Sequence, residues 1–383
     1  SRLQMKNTAE QNIATPPEPK VWLLLGHKAG DNSQLLALSD ALGWPCESKR
    51  LSYRRSELLS NLLSPTTLTG IRQRDSSPLC PPWPDLVLTA GRRNEPVARW
   101  IRKQASGSTR LVHVGRPWAN PEHFDLVITT PQYQVPGAPN VLLNSLPLHR
   151  ITGDRLRQAS DRWAGKIAQL PRPYLAMLVG GDSGPYTFAR RRAACLAGEA
   201  TFMARSAGGS LLITSSARTP TETVDALQQQ IAGTPHYFYR WRPGDADNPY
   251  FGFLGLADAF IVTGESLSML TEACETGKPV YIFDPGCHPL PLHCDGVDGA
   301  SSLAERRRWW LRPASFRWKP LTHRLAQLLG PRRMRRDIGI MHRHLVRAGL
   351  AVWLGERHPD TVKTLALSDL ERAVSRVRAL FPS

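Results

Sequence analysis

The stretch Ala259-Phe260-Ile261-Val262-Thr263-Gly264-Glu265-Ser266-Leu267-Ser268-Met269-Leu270-Thr271-Glu272 decides the fold. An apolar strand ends at Val262, a turn of small and hydroxyl residues follows, and a helix then starts. Strand, tight turn and helix in that order form the repeating unit of a parallel sheet covered on both faces. The chain continues to Gly277-Lys278-Pro279 and a further strand, Val280-Tyr281-Ile282-Phe283.

The same unit recurs on either side. Upstream lie strands Leu175–Val179, Ser210–Thr214 and His236–Tyr239, with helices predicted near Thr187–Arg205, Thr221–Ile231, Phe251–Leu256 and Leu267–Thr276. Ile151 to Leu170 reads as a connecting helix closed by Pro171-Arg172-Pro173. Before it comes a second series. Its strands are Val21–Leu25, Asp85–Thr89, Arg110–Val114 and Asp125–Thr129, with helices over Ser33–Leu42 and near Val97–Gln104, and a Ser-, Pro- and Thr-rich loop from Ser64 to Pro84. The expected class is therefore α/β: two Rossmann-like domains facing across a cleft, glycosyltransferase-B-like, with a helical C-terminal extension. The 383 residues agree with two domains, since one core rarely grows beyond about 250–300 residues. The expected divisions are a flexible segment 1–19, an N-terminal acceptor domain 20–150, a connecting helix 151–170, a nucleotide-donor domain 171–300, and a basic segment 301–383 returning toward the first domain.

Composition narrows the class. At 41% apolar residues the chain can build ordinary cores, yet no apolar run approaches the roughly 18 residues that span a bilayer. Residues 1–20 lack the apolar centre of a secretory signal, and Glu10 and Glu18 with few arginines argue against a mitochondrial presequence. Six cysteines form no dense framework, so a reducing compartment is expected. From Arg306 to Ala348 thirteen Arg and Lys face one acid, Asp337, so this stretch carries +12 of the net +17. Trp309, Trp310, Phe316 and Trp318 are interleaved with them. Arginine and indole together suit an anionic membrane surface. A solvated helix face is the plainer reading, and nucleic acid a third, for which no recognisable module speaks.

Candidate chemistry sits at strand ends. The start of the helix after Val262 offers free N–H groups and a positive dipole to phosphate, with Thr263, Gly264, Glu265, Ser266, Ser268, Met269 and Thr271 around it. Glu272, one turn into the helix, can accept hydrogen bonds from both hydroxyls of a ribose. Gly180-Gly181-Asp182-Ser183 follows another strand, where glycine lets backbone approach a ligand. Ser215 and Arg218 follow a third, and Arg218 suits a diphosphate; Asn248 opens the helix before Ala259. Each has a purely structural alternative as a cap, turn or surface ion pair. In the first domain His27 or Asp31 can serve as the base of an inverting transfer, with Lys28, Asn32, Gln34, Arg92 and Arg116 toward an anionic acceptor. Asp31 or Asn32 can equally cap a helix. Cys287-His288 and His293-Cys294 match no standard zinc spacing, so neither metal nor cofactor is expected; a nucleotide-sugar would be the donor substrate.

These segments resemble the mitochondrial fission ELM1 family. The likeness rests on Gly30-Asp31-Asn32-Ser33-Gln34, Phe124-Asp125-Leu126-Val127-Ile128, Asn140-Val141-Leu142-Leu143-Asn144 with His149-Arg150-Ile151-Thr152, Arg218-Thr219-Pro220 and the whole Asn248–Val280 stretch, within about residues 20 to 356. The resemblance implies a glycosyltransferase-B fold. It implies either an envelope-polysaccharide or lipopolysaccharide transferase at the inner face of a bacterial inner membrane, as bacterial members look, or a non-catalytic adaptor, as the plant member that recruits a dynamin-related protein to mitochondria. Nucleotide-sugar transferases of this architecture place a glutamate five residues before a Gly-x-Pro turn, the spacing of Glu272 and Gly277. Glu265 stands where the family pattern has Asp, and His27-Lys28 and Gly115-Arg116-Pro117 also depart from it.

Overall fold

A computed structural model describes residues 18–54, 66–183, 187–285, 337–359 and 368–381. The first sheet comprises β1 (Val21–Leu25), β2 (Cys46–Arg50), β3 (Leu86–Ala90), β4 (Arg110–Val114), β5 (Leu126–Thr129) and β6 (Val141–Leu143). The second holds β7 (Tyr174–Leu178), β8 (Ser210–Thr214), β9 (His236–Tyr239), β10 (Ala259–Thr263), β11 (Val280–Phe283) and β12 (Val352–Trp353). Their orders are β2-β1-β3-β4-β5-β6 and β12-β11-β10-β7-β8-β9, and every pairing is parallel. Helices α1 (Ala29–Leu42) and α2 (Glu95–Gln104) cover the first sheet, α3 (Gly153–Ile167) connects the two, and α4 (Arg190–Ser206), α5 (Thr221–Ile231), α6 (Tyr250–Leu256) and α7 (Leu267–Glu275) serve the second. The expected pair of Rossmann-like domains is present. The helical C-terminal region contributes α8 (Ile338–Arg347) and α9 (Ser368–Arg378).

Alternation explains why the apolar runs must be strands with both faces buried. In β1, Val21, Leu23 and Leu25 enter one core with Leu35, Leu38 and Ala373, whereas Trp22 and Leu24 enter another with Val97, Ile101 and Leu111. In β7, Ala176 and Leu178 join Phe253, Val262 and Leu270 on one face, and Leu175 and Met177 join Leu196, Ala200 and Leu227 on the other. Each fully buried side chain of this kind contributes about 1.5–3 kcal/mol.

Three strands escaped the apolar reading for a physical reason: β6 is an edge strand of three residues, none of them buried. β2, Cys-Glu-Ser-Lys-Arg, is an edge strand with four of five residues exposed, and charged edges guard against edge-to-edge pairing. β12 has only two residues beside β11. α1 starts at Ala29, ahead of the expected Ser33, with Lys28 at its cap position and no side-chain cap bond.

The C-terminal helix crosses back to the first domain. Ala373 and Val377 are buried against the α1 side of the first core, Arg378 donates to the Leu42 carbonyl at 2.9 Å, and Asp369 accepts from the N–H groups of Ser145 at 2.8 Å and Leu146 at 3.0 Å. α8 touches both domains: its cap residue Asp337 donates its N–H to the Gln132 carbonyl at 2.9 Å, while Ile338, Met341 and Leu345 enter the second core.

Two stability predictions follow from this packing. Asp369→Ala removes the acceptor of two backbone donors and costs about 2–3 kcal/mol in urea unfolding; an unchanged midpoint would show the helix is not held by this contact. A Cβ on Gly252 would lie 2.6 Å from Cδ1 of Trp163 in the α3–α6 contact, and Trp163 is buried. Gly252→Ala therefore overpacks that contact and costs about 1–3 kcal/mol in the same measurement.

Candidate functional site

Strand order locates the site. In open parallel sheets ligands bind beyond the carboxyl ends of strands where the order reverses. In the second sheet that point lies between β7 and β10, so the loops on it are Gly180–Ser183 and Gly264–Ser266. In the first sheet it lies between β1 and β3, and the loops are Gly26–Lys28 and Gly91–Arg93. The two switch points meet: a Cβ on Gly30, in the first turn of α1, would be 3.3 Å from Ser268 Oγ in the first turn of α7.

The loops at the switch point of the second sheet interlock. Gly180 N–H donates to Thr263 Oγ1 at 2.8 Å and Gly181 N–H to Glu265 Oε1 at 2.6 Å. A Cβ on Gly180 would come within 1.9 Å of Glu265 Oε1, and one on Gly181 within 2.1 Å of the Arg218 carbonyl oxygen. The glycines thus let three loops pack together, a different demand from the ligand approach expected of them. Thr263 Oγ1 also donates to Glu265 Oε1 at 3.2 Å, Asp182 N–H to the Arg218 carbonyl at 3.0 Å, and the Arg218 guanidinium lies 3.9 Å from Glu265 Oε1. Glu265 is buried and its Oε2 has no hydrogen-bond partner among the described residues. Burial pushes its carboxyl above the usual range, against the pull of Arg218 and the Gly181 N–H. Ser183, half-buried, ends the described part of that turn.

Behind the turn, Gly264 donates its N–H to Phe283 O at 2.8 Å. Its carbonyl faces Nε2 of buried His342 at 2.6 Å. A carbonyl can only accept, so Nε2 carries the proton. His342 was not among the candidates: it lies in the arginine-rich tail, and nothing in its local sequence points to a loop 78 residues away.

At α7 the candidates divide. Ser266 holds the cap position with no side-chain cap bond, and Ser268 is half-buried against Gly30. Thr271 is corrected: its hydroxyl donates to Leu267 O at 2.8 Å inside the helix. Met269 packs on the core. Ser215 accepts from the Trp241 N–H at 2.9 Å and Asn248 from the Tyr250 N–H at 3.0 Å, so both order backbone.

Glu272 also departs from the expectation of two open oxygens. It is only 7% exposed, and the Tyr250 hydroxyl donates to its Oε2. Burial raises its carboxyl above the ordinary range, opposed by the Tyr250 hydrogen bond and by the charges of His149 and Arg155. Burial, with the Glu272 charge, holds Tyr250 well above the ordinary phenol value. Beside them His149 Nε2 lies 3.2 Å from Glu275 Oε1, joining the linker to α7.

In the first domain, exposed His27 stands edge-on to Tyr53 at 5.8 Å, and Asp31 lies 4.0 Å from Lys28 Nζ. A Cβ on Gly91 would be 3.0 Å from Asp31 Oδ2, so the two switch-point loops touch. Arg92 covers Trp118 at 4.8 Å, Arg93 covers Tyr53 at 5.3 Å and Arg116 covers Tyr133 at 5.9 Å, so rings hold all three cations at the strand ends. Asn32 and Gln34 are corrected to structural roles. Asn32 exchanges two hydrogen bonds with Gly26, at 3.0 and 2.9 Å, and Gln34 accepts from Leu148 N–H at 3.3 Å. Cys287, His288, His293, Cys294 and the tryptophans of the basic stretch lie outside the described residues. Among the described residues no helix is long and apolar enough to cross a membrane.

Comparison with known proteins agrees with the motifs. The chain is 31% identical over 221 residues to the mitochondrial fission protein ELM1 of Arabidopsis thaliana, covering 52% of this chain and 51% of that one, so it spans about half of that relative. It is 23% identical over 299 residues to the uncharacterized protein RP120 of Rickettsia prowazekii (strain Madrid E), covering 69% of this chain and 83% of that one. Among solved structures it matches a UDP-GlcNAc 2-epimerase of Methanocaldococcus jannaschii in complex with UDP-GlcNAc and UDP, with TM-score 0.47, 9% identity and coverage of 94% and 99%. It also matches MurG of Acinetobacter baumannii, with TM-score 0.38, 13% identity and coverage of 94% and 100%. The sequence profile described as Mitochondrial fission ELM1 matches residues 29–290, and the chain belongs to that family.

Proposed function

We propose that this glycosyltransferase-like protein is a metal-independent, nucleotide-sugar-dependent glycosyltransferase acting on a membrane-associated glycolipid of the lipopolysaccharide or envelope-polysaccharide class. The observation that carries the reading is the meeting of two switch points at Gly30 and Ser268, with a buried carboxylate, Glu272, one turn into α7.

In this reading the diphosphate lies on the first turn of α7, where backbone N–H groups and the Ser266 and Ser268 hydroxyls donate to it. Glu272 accepts from the ribose. An acceptor hydroxyl attacks the anomeric carbon, His27 or Asp31 takes its proton in an inverting transfer, and the nucleotide leaves with its charge offset by the helix dipole and Arg218. Arg92, Arg116 and Lys28 suit an anionic acceptor. The Arg- and Trp-rich 306–348 stretch suits the inner face of a bacterial inner membrane as docking surface. A second reading, a non-catalytic adaptor on the same fold, is favoured by one observation: in this conformation Tyr250 already holds the Glu272 carboxylate.

A thermal-shift screen with UDP-, GDP-, ADP- and CMP-sugars separates the two. The transferase reading predicts a clear rise in Tm with one nucleotide class, because a ligand bound only by the folded state stabilises it; silence across the panel favours the adaptor.

The raised Glu272 carboxyl gives a second prediction. Its folded-state pKa lies above its unfolded value, so between the two the folded state holds more protons and stability falls as pH rises. Glu272→Gln has no such proton to lose. Its stability relative to the parent should therefore increase from about pH 4 upward and level off once the parent carboxyl is ionised, while nucleotide binding is lost. A variant that loses stability relative to the parent over that rise would contradict this.

A further inference from the structure

Glu272 is held in a way that bears on how a nucleotide enters. The Tyr250 hydroxyl donates to Oε2, which is the bond a ribose hydroxyl would make. Toward a carboxylate the two groups are the same chemistry, a neutral O–H donor on carbon. The Tyr250 phenol, with its pKa well above the ordinary value, stays a donor. We propose that Tyr250 is an internal stand-in for a ribose hydroxyl, and that a vicinal-diol nucleotide binds by displacing it. The proposal rests on the nucleotide reading above.

The two partners differ in their freedom to move. Glu272 lies within α7, flanked by Leu270, Ala273 and Cys274, all in the second core, and it is 7% exposed. Tyr250 is half-buried and is the first residue of α6. Its ring stands edge-on to Phe251 at 5.4 Å, and Phe251 in turn lies under the Arg155 guanidinium at 4.0 Å. Tyr250 packs on the edge of the second core from the start of a short helix and is partly exposed, so its ring has a way outward that the enclosed carboxylate lacks. Tyr250 also relieves a cost in the empty protein, because an ionised buried carboxylate without a donor is unfavourable by several kcal/mol. His149 and Arg155 add favourable charge beside Glu272, and His149 is tied to Glu275 at 3.2 Å. His149, at the end of the first domain, and Arg155, in the connecting helix α3, therefore line the same carboxylate, and displacement of Tyr250 occurs where the two domains join.

The test uses the full chain and titrates UDP, GDP, ADP and CMP by calorimetry into the parent, Tyr250→Phe and Glu272→Gln. Tyr250→Phe removes only the competing hydroxyl. The nucleotide that binds the parent should bind it roughly three- to tenfold more tightly, the net worth of one hydrogen bond, and Glu272→Gln should lose binding. Equal or weaker binding to Tyr250→Phe overturns the stand-in while leaving the nucleotide site intact. Silence of all four nucleotides toward all proteins overturns the nucleotide reading and the stand-in with it. As a readout that does not depend on the variant's folding, the parent labelled with 3-fluorotyrosine should show one fluorine resonance, absent in Tyr250→Phe, that moves on saturation with nucleotide. A resonance that stays fixed while the nucleotide binds overturns the proposal.

Discussion

The Thr263-Gly264-Glu265-Ser266 turn is held on every side, and the rest of the candidate site depends on that restraint. Its side chains take the Gly180 and Gly181 N–H groups, its Gly264 N–H reaches Phe283, and its Gly264 carbonyl faces His342. The loops after β7, β10 and β11 and the helix α8 are thereby fixed to one another. Across them the Ser216 hydroxyl donates to the Gly180 carbonyl at 2.7 Å, adding the loop after β8. A site on rigid elements keeps its geometry better than one on a single loop. The first turn of α7 is aimed by this lattice and not by its own sequence.

Two buried carboxyls stand at the two ends of that first turn, and both are held above the ordinary range by burial. Glu265 accepts from two donors through one oxygen, and its work is to hold the Gly180–Gly181 turn. Glu272 has one protein donor among the described residues, in a helix whose residues are all buried or half-buried. A buried carboxyl costs stability unless paired, and the Tyr250 hydroxyl supplies that pairing beside the domain junction. α8, reaching from Gln132 of the first domain to Gly264 of the second, makes the restraint an interdomain one.

Much of the architecture was legible because a parallel sheet writes itself as continuous apolar runs. Leu175–Val179, Ser210–Thr214 and Ala259–Val262 are buried on alternate faces of one sheet, as their composition requires. β2 was not legible, since an edge strand of Glu, Ser, Lys and Arg carries no apolar signal. At the candidate site, the sequence pointed to loops that lie at the two switch points, but not to the duties of their side chains. Thr271 and Ser215 look like phosphate donors by type, yet each is committed to a backbone group close in space. Asn32, read as a cap or an acceptor contact, closes the β1 turn on Gly26. The partners that matter most, Tyr250 with Glu272 and His342 with Gly264, are separated by 22 and 78 residues, and no local pattern encodes such pairings.

The central claim is that α7 and Glu272 form the nucleotide end of a donor site. A crystal structure of the chain with a bound nucleotide-sugar tests it most directly. The account predicts the diphosphate on the N–H groups of Leu267, Ser268 and Met269, the ribose on Glu272, and the sugar between Ser268 and the Gly30 loop. Density for the nucleotide anywhere else, with Glu272 still enclosed by Tyr250, would contradict it.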